Sequence, residues 1–378
     1  MDPSTLCIHA AQKKHDLTGA ICMPIYQSAT FTHPSVGSST GFDYSRLQNP
    51  TREHVEEVVC ALEHGHDAIA FSTGMAAIMA CLELFCSGDH LIASDDLYGG
   101  SHRIFTHLKA KKNIELDYVN TSDSLEIEKA LRPNTKAIFI ETPTNPMMKI
   151  TDLQAVARIA KEQQLILIVD NTFLTPYFQN PLDLGAHIVI HSGTKFLGGH
   201  NDTLAGFLVT SKPDIAEELR YIAKTIGACL SPFDAFLITR GIKTLAVRLE
   251  RQQKSALTLA HWLEKQEAIE KVWYPGLPTH PGYEVNQKQA SGFGSMLSIH
   301  VKSPEIACKV LEKVRILQYA ESLGGVESLI TYPMLQTHAD VPEEEREKKG
   351  INNRLLRISV GLESVDDLIF DLEQAFHQ

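Results

Sequence analysis

The chain has 378 residues, and 35 lysines and arginines stand against 46 aspartates and glutamates, a formal net charge of −11. Apolar residues at 43% and charged ones at 21% exclude a disordered chain and leave an ordinary globular protein with length for two or three domains. The acidic excess counts against nucleic acid or an anionic membrane as the main partner.

The first residues show no clear periodicity and contain Gly, Pro, Ser and Thr, which reads as an irregular arm over 1–48. A helix is predicted over Glu53–Glu63, ending at Gly65, and a strand over Ala68–Phe71. The turn Ser72-Thr73-Gly74 then opens an Ala/Met/Leu-rich run to Phe85, a buried helix. Short apolar runs at Leu91–Ala93, Leu116–Val119, Ala137–Ile140, Leu165–Val169, His187–Ile190 and Ala205–Val209 predict strands. Ser124–Leu131, Leu153–Gln164 and Asp214–Ala223 predict helices between them. Strands separated by helices of this length imply βαβ crossovers, hence an α/β fold with a mostly parallel sheet covered on both faces.

The rhythm changes near Ser231. One helical stretch over Phe233–Lys265 carries Gly241 and is expected to bend or break there. Strands at Lys271–Tyr274, Gly294–Val301 and Leu355–Val360 then alternate with helices at Pro304–Lys313 and Val365–Phe376, a smaller α+β domain. The expected division is an arm over 1–48, a sheet domain over 49–232 and a C-terminal domain over 233–378. The charge run Glu343–Lys349 reads as a solvated helical turn.

Seven cysteines, odd in number and without a CxxC pair, read as free thiols in a reducing compartment, so the cytoplasm is expected. Residues 1–16 contain no secretory pattern, and the longest strongly apolar run, Leu165–Val169, is far short of the roughly 20 residues a membrane helix needs. The 17 histidines show no ligand spacing, and no metal site is expected.

Ligands of open parallel sheets bind beyond the carboxyl ends of the strands. The residues there are Ser72-Thr-Gly-Met75, Asp95-Asp-Leu-Tyr-Gly-Gly100, Glu141-Thr-Pro-Thr-Asn-Pro146, Asp170-Asn-Thr172 and His191-Ser-Gly-Thr-Lys195. Neither GxGxxG nor GxxxxGK[ST] is present, so the dinucleotide and P-loop turns are missing. An acid ending the most apolar strand, Asp170, and a lysine after the next strand, Lys195, suit pyridoxal phosphate. That cofactor needs a lysine for its Schiff base and an acid to keep its pyridine nitrogen protonated. Gly74 and Met75, opening a helix, can offer N–H groups to the phosphate, Ser192 and Thr194 can add hydroxyls, and Tyr98 a ring for stacking. Singly, each of these is as well read as a cap, a turn or a surface charge. The inference rests on the set, at adjacent rim positions.

Seven motifs in order carry a resemblance. They are Tyr44-Ser-Arg46 with Asn49-Pro-Thr-Arg52, Ser72-Thr-Gly-Met-Ala-Ala77, Leu97-Tyr-Gly-Gly100, Glu141-Thr-Pro-Thr-Asn-Pro146, Val169-Asp-Asn-Thr-Phe173, Ser192-Gly-Thr-Lys195 and Arg357-Ile-Ser-Val-Gly361. Over essentially its whole length the chain resembles the cysteine/methionine-metabolism family of pyridoxal-phosphate enzymes, near the bacterial cystathionine γ-synthases and O-acetylhomoserine thiol-lyases. The resemblance implies a fold-type I architecture with a seven-stranded sheet. It implies that Lys195 binds the cofactor and moves protons, Asp170 pairs with the pyridine nitrogen, and Tyr98 stacks on the ring and assists proton transfer. Asn145 would meet the phenolic oxygen, while Gly74, Met75, Ser192 and Thr194 would hold the phosphate. Arg357 would clamp the substrate α-carboxylate. Tyr44 and Arg46 would reach the phosphate of a neighbouring subunit, in a homotetramer built as a dimer of active-site-sharing dimers. The arm would then pack on another chain and not on its own core.

The distal pocket must choose the reaction. Glu321 stands where γ-synthases and γ-lyases resemble one another, and with Asp43 it is a candidate for the distal ammonium of cysteine or cystathionine; Ser322 beside it is a further substrate-binding candidate. Arg103 is a candidate for a distal carboxylate or ester. Gly100 replaces the cysteine of methionine γ-lyases, and Leu47 stands where some succinyl-ester users carry a second arginine. The expected activity is γ-replacement: an O-acetyl- or O-succinylhomoserine plus cysteine gives cystathionine, with sulfide as a second nucleophile. The alternative is elimination, as in cystathionine γ- or β-lyases.

Overall fold

A computed structural model describes residues 1–11 and 18–377. Seven strands form the larger sheet: β1 (Asp67–Phe71), β2 (His90–Ser94), β3 (Glu115–Val119), β4 (Thr135–Glu141), β5 (Ile166–Asp170), β6 (Ile188–Ser192) and β7 (Gly206–Thr210), in the order β1-β7-β6-β5-β4-β2-β3. Alternate residues of the central strands enter opposite cores. Leu167 and Val169 pack with Val55, Val59 and Leu62 of helix Pro50–Leu62, whereas Ile168 packs with Ile78 and Leu82 of helix Gly74–Leu82. The sheet is therefore buried on both faces, which is why its strands read as unbroken apolar runs. The junctions β3-β2, β2-β4, β4-β5 and β5-β6 are parallel, so β4, β5 and β6 end on one rim.

β7 runs antiparallel to both β6 and β1. Its link to β6, residues 193–205, contains no helix and folds straight back along the same edge, where a parallel strand would need a helical crossover. Residue 206 must be glycine here, because a Cβ would stand 2.1 Å from the Thr73 carbonyl oxygen at the start of helix Gly74–Leu82.

Among the described residues the smaller sheet contains β8 (Ile269–Trp273), β9 (Met296–Val301), β10 (Gln318–Tyr319), β11 (Leu329–Thr331) and β12 (Leu355–Ser359), in the order β10-β11-β12-β9-β8. Helices Leu245–Leu263, Pro304–Lys313 and Val365–His377 cover it through Leu259, Leu263, Val310, Leu368 and Leu372. The long helical stretch does break beside Gly241, into Pro232–Ile242 and Leu245–Leu263. A Cβ at 241 would lie 2.2 Å from the Gly198 carbonyl oxygen, so glycine lets this helix press on the loop behind Lys195. The charge run is the short helix Glu343–Lys348, with nothing buried.

The architecture is that of the fold-type I enzymes: a large, mostly parallel sheet, a smaller C-terminal sheet-and-helix domain and an N-terminal helical arm. One expectation needs correction, and some elements carry no sequence signal. The arm does not lie wholly off its own core, since helix Pro3–His9, capped by Asp2 on the Ser4 N–H, buries Cys7 in the main hydrophobic cluster. Residues 12–17 of the arm lie outside the described residues. Helix Gly99–Lys112, unmarked in the sequence, carries many polar side chains and is anchored mainly by Phe105 and Leu108, with Phe105 edge-on to Phe139 at 5.2 Å. The short strands β10 and β11 also lacked a sequence signal, because two or three residues are too few for an alternating pattern.

Candidate active site

Apolar strands that end on one rim set their terminal polar residues side by side. Glu141 at the end of β4 is in register with Asp170 at the end of β5, and Asp170 with Ile190 of β6. Together with Lys195 they line a cavity of about 360 Å³ that also receives Thr73, Gly74, Met75, Tyr98, Asn145, Ser192 and Thr194, and from the C-terminal domain Glu321, Ser322 and Arg357. The floor is the larger sheet and the far wall is the smaller one.

Both carboxyls of the floor are buried. The Asp170 Oδ1 accepts the Thr172 N–H (3.0 Å) and hydroxyl (2.5 Å), and the Thr172 oxygen in turn accepts the Ser192 N–H (2.9 Å). Burial raises the Asp170 pKa, against the opposing effects of these bonds and of His191. Glu141 accepts the Tyr98 N–H (3.0 Å), and burial first, the Asp170 charge second, hold its carboxyl well above the usual range. Neither acid has an ion-pair partner among the described residues, so a cationic ring nitrogen at Asp170 would meet an acid that lacks a counter-charge.

Lys195 leaves the end of β6 on a tight turn, and its Nζ donates to Ser322 Oγ at 2.8 Å. Its pKa falls to about 8, chiefly through burial and next through the Arg357 charge, while Glu321 opposes the fall. The loop carrying Ser322 is pressed onto this lysine: Gly324 has φ +78°, and a Cβ there would stand 2.7 Å from the Phe196 amide nitrogen. Ser322 itself holds φ +93°, a costly conformation for a residue with a side chain, and its carbonyl accepts Arg357 Nη2 at 3.0 Å.

Arg357, on β12, is 1% exposed. Nη1 donates to Asn145 Oδ1 (2.8 Å) and Nη2 also to Thr331 Oγ1 (3.1 Å), while the buried Nε has no partner. Burial lowers its pKa to about 10, far above neutrality, so the site holds a fixed cation with two N–H groups unspent, one on Nε and one on Nη1. A carboxylate is the group that fits it. Because Asn145 accepts from Arg357 with its oxygen, its amide NH₂ remains as the donor a phenolic oxygen needs.

Thr73 caps helix Gly74–Leu82 by accepting the Ala76 N–H at 3.0 Å, which leaves the N–H groups of Gly74 and Met75 at the helix start for an anion. Gly74 packs so close to Ser192 that a Cβ would stand 3.0 Å from the Ser192 Cβ. Tyr98 overlies the start of helix Gly99–Lys112, and a side chain at Gly100 would meet its ring at 2.4 Å. A lysine with depressed basicity, an acid, a ring, an anion cradle and a buried arginine around one cavity fit pyridoxal phosphate and an amino acid.

Four candidates from the sequence do not line this cavity within one chain. Arg103 points from helix Gly99–Lys112 to Asp340, at 2.6 Å and 62% exposed. Asp43 accepts the Ser39 hydroxyl at 2.5 Å, and Arg46 donates to the Lys224 carbonyl at 2.6 Å with its guanidinium 5.7 Å from the Tyr44 ring. Conversely, the sequence did not single out Glu141, Thr172, Thr337 or His338. Glu141 had a usable signal, since like Asp170 it ends an apolar strand. Thr337 and His338 had none, because they sit in a C-terminal loop that only tertiary packing brings to the rim.

Comparison with known proteins agrees with this chemistry. The family model described as Cys/Met metabolism PLP-dependent enzyme matches residues 4–377. A Bacillus subtilis protein named cystathionine gamma-lyase is 48% identical over 99% of both chains. A Coxiella burnetii protein named cystathionine beta-lyase is 46% identical over 98% of this chain and 97% of its own. The crystal structure of cystathionine gamma synthase from Xanthomonas oryzae pv. oryzae, in complex with aminoacrylate and cysteine, superposes with a TM-score of 0.97 at 39% identity, over 100% of this chain and 98% of that one. The three names divide between elimination and replacement. The chain belongs to the Cys/Met metabolism family of PLP-dependent enzymes.

Proposed function

We propose that the protein catalyses γ-replacement on an activated homoserine ester, with cysteine as nucleophile and cystathionine as product. Leu47 favours the acetyl over the succinyl ester, and sulfide is a second nucleophile. The observation that carries the reading is the sharing of one cavity by Arg357, Lys195 and Glu321. Arg357 binds the α-carboxylate, and Glu321 at the exposed rim receives the distal ammonium of cysteine or cystathionine.

When bound, pyridoxal phosphate supplies an electron sink conjugated to the substrate's amino-bearing carbon. Lys195 Nζ, as the free amine, accepts the Cα proton, gives it up to the conjugated system and then takes a proton from Cβ, so that the γ-substituent leaves with its bonding electrons. Ser322 Oγ holds that amine between uses. Asp170 keeps the ring nitrogen protonated, Asn145 donates to the phenolic oxygen, and Tyr98 stacks on the ring and assists proton transfer. Gly74, Met75, Ser192 and Thr194 fix the phosphate. The cysteine thiol adds at Cγ while its proton passes to Lys195 Nζ, which returns protons to Cβ and Cα.

The extents proposed are an arm over 1–48, a cofactor domain over 49–232 and a C-terminal domain over 233–378. Tyr44 and Arg46, exposed and away from the cavity of their own chain, reach the phosphate of a partner subunit in a dimer of dimers. Mixing an Arg46→Ala chain with a Lys195→Ala chain tests this: recovered activity in the hybrid supports shared sites, and none counts against them.

Elimination of cystathionine uses the same three groups, and the γ- and β-lyase names of two relatives favour it as the second reading. Steady-state assays with cysteine plus O-acetyl- or O-succinylhomoserine, against cystathionine alone, separate the two. Cleavage of cystathionine far faster than its synthesis overturns the replacement reading.

A further inference from the structure

We propose that His338 is a positioning residue, whose ring fastens the turn bearing Tyr98 and the turn bearing Asn145 to the C-terminal domain. The inference rests on the placement of the cofactor between those two side chains put forward above. His338 is 2% exposed, and its Nε2 stands 3.0 Å from the Leu97 carbonyl oxygen and 3.1 Å from the Asn145 carbonyl oxygen. Both neighbours only accept, so Nε2 must carry the proton and donate to each. Nδ1 is then the acceptor, and the Thr337 hydroxyl at 2.9 Å donates to it. One neutral tautomer satisfies the whole cluster, and burial keeps the ring neutral by lowering its pKa to about 4.

What the ring holds is specific. The Leu97 carbonyl belongs to the peptide just before Tyr98, whose own N–H is held by Glu141, so that peptide is gripped from both sides. Asn145 is held on its backbone by His338 and on its side chain by Arg357, both from the C-terminal domain. Gly99 shows how closely the segment seats, since a Cβ there would stand 2.0 Å from the Thr337 carbonyl oxygen. Within the cofactor domain Asp96 already ties the two turns, through Thr144 and the Met147 N–H. His338 adds the tie across domains, and so sets the height of Tyr98 and Asn145 against a ring whose other contacts come from the sheet.

The test uses the holoenzyme with whichever amino-acid substrate turns over. His338→Leu keeps the volume and removes the donor, and with two buried carbonyls unpaired we expect kcat to fall about 10- to 100-fold. KM should stay within about twofold, and the absorbance band of the bound cofactor should shift. His338→Gln, whose terminal amide reaches the place of Nε2, should recover most of the rate. His338→Asn, which reaches only the place of Nδ1, should not. This pair decides the matter if the leucine variant does not fold, and equal behaviour of the two overturns the proposal. So does a lowered melting temperature with the band and the kcat per bound cofactor unchanged, which is the mark of a merely structural residue. Asn145→Ala and Tyr98→Phe serve as references. If neither moves band or rate, the cofactor placement fails and this inference with it; if they do and His338→Leu does not, His338 alone is overturned.

Discussion

The floor and the rim of the cavity are built differently. On the floor, Asp170, Glu141 and Lys195 are enclosed, hydrogen-bonded, and shifted in acidity chiefly by burial. At the rim, Glu321 is exposed, while Arg103, Asp43, Tyr44 and Arg46 engage neighbours outside the cavity of their own chain. The lesson is that the chemistry common to the family sits where the dielectric is low and geometry is fixed by strand ends. On the proposed function, choice of reaction falls to loop residues such as Glu321, which can be exchanged without disturbing the floor.

If the floor is the chemical engine, its loss must be nearly complete. Lys195→Ala should lower turnover by about 10⁴-fold or more, and borohydride should no longer fix the cofactor to the chain. Retained fixation would place the reactive amine elsewhere. The acidity of that lysine gives a second handle. With a pKa of about 8 against the ordinary 10.5, its neutral fraction at pH 7 is larger by about 300-fold. The rate at which the cofactor-free protein captures pyridoxal phosphate should therefore climb about tenfold per pH unit and level off near pH 8. A climb that continues towards 10.5 would mean the enclosure of Lys195 does not tune it.

Asp170→Asn should cost about 10²-fold in kcat, because the amide can keep its bond to Thr172 but not hold a proton on the ring nitrogen. Full activity would move the proton's keeper to another group. At the rim the effects should be smaller. Glu321→Ala should raise KM for cysteine or cystathionine about five- to tenfold and leave the cofactor absorbance intact. A lost cofactor would make Glu321 part of the floor's support. Arg103→Ala should change KM by less than about twofold, since its guanidinium is exposed and paired to Asp340. A larger rise would show that Arg103 swings inward when substrate binds.

The expectations from sequence divide along the same line. Asp170 and Lys195 could be found because β5 and β6 are continuous apolar runs with a polar residue at each end, and parallel topology puts those ends together. Glu141, at the end of β4, obeys the same rule. Arg103 lies outside the cavity of its own chain because a helix starts at Gly99 and turns residue 103 towards Asp340 of the C-terminal loop. Helix Pro3–His9 is too short to show a period, although Asp2 and Pro3 are sound signals for a helix start.

The sequence by itself determined the larger sheet, the polar residues at its rim and the family, since each is written in local periodicity, strand-end chemistry and contiguous motifs. Only the tertiary structure decided how the far wall meets that rim. Arg357 bonds to Asn145 across 212 positions and His338 to Leu97 across 241. The Ser322 hydroxyl likewise meets Lys195 across 127 positions. Contacts between groups so distant in the chain leave no pattern in any local window, because packing of two domains, and not backbone propensity, brings them within 3 Å.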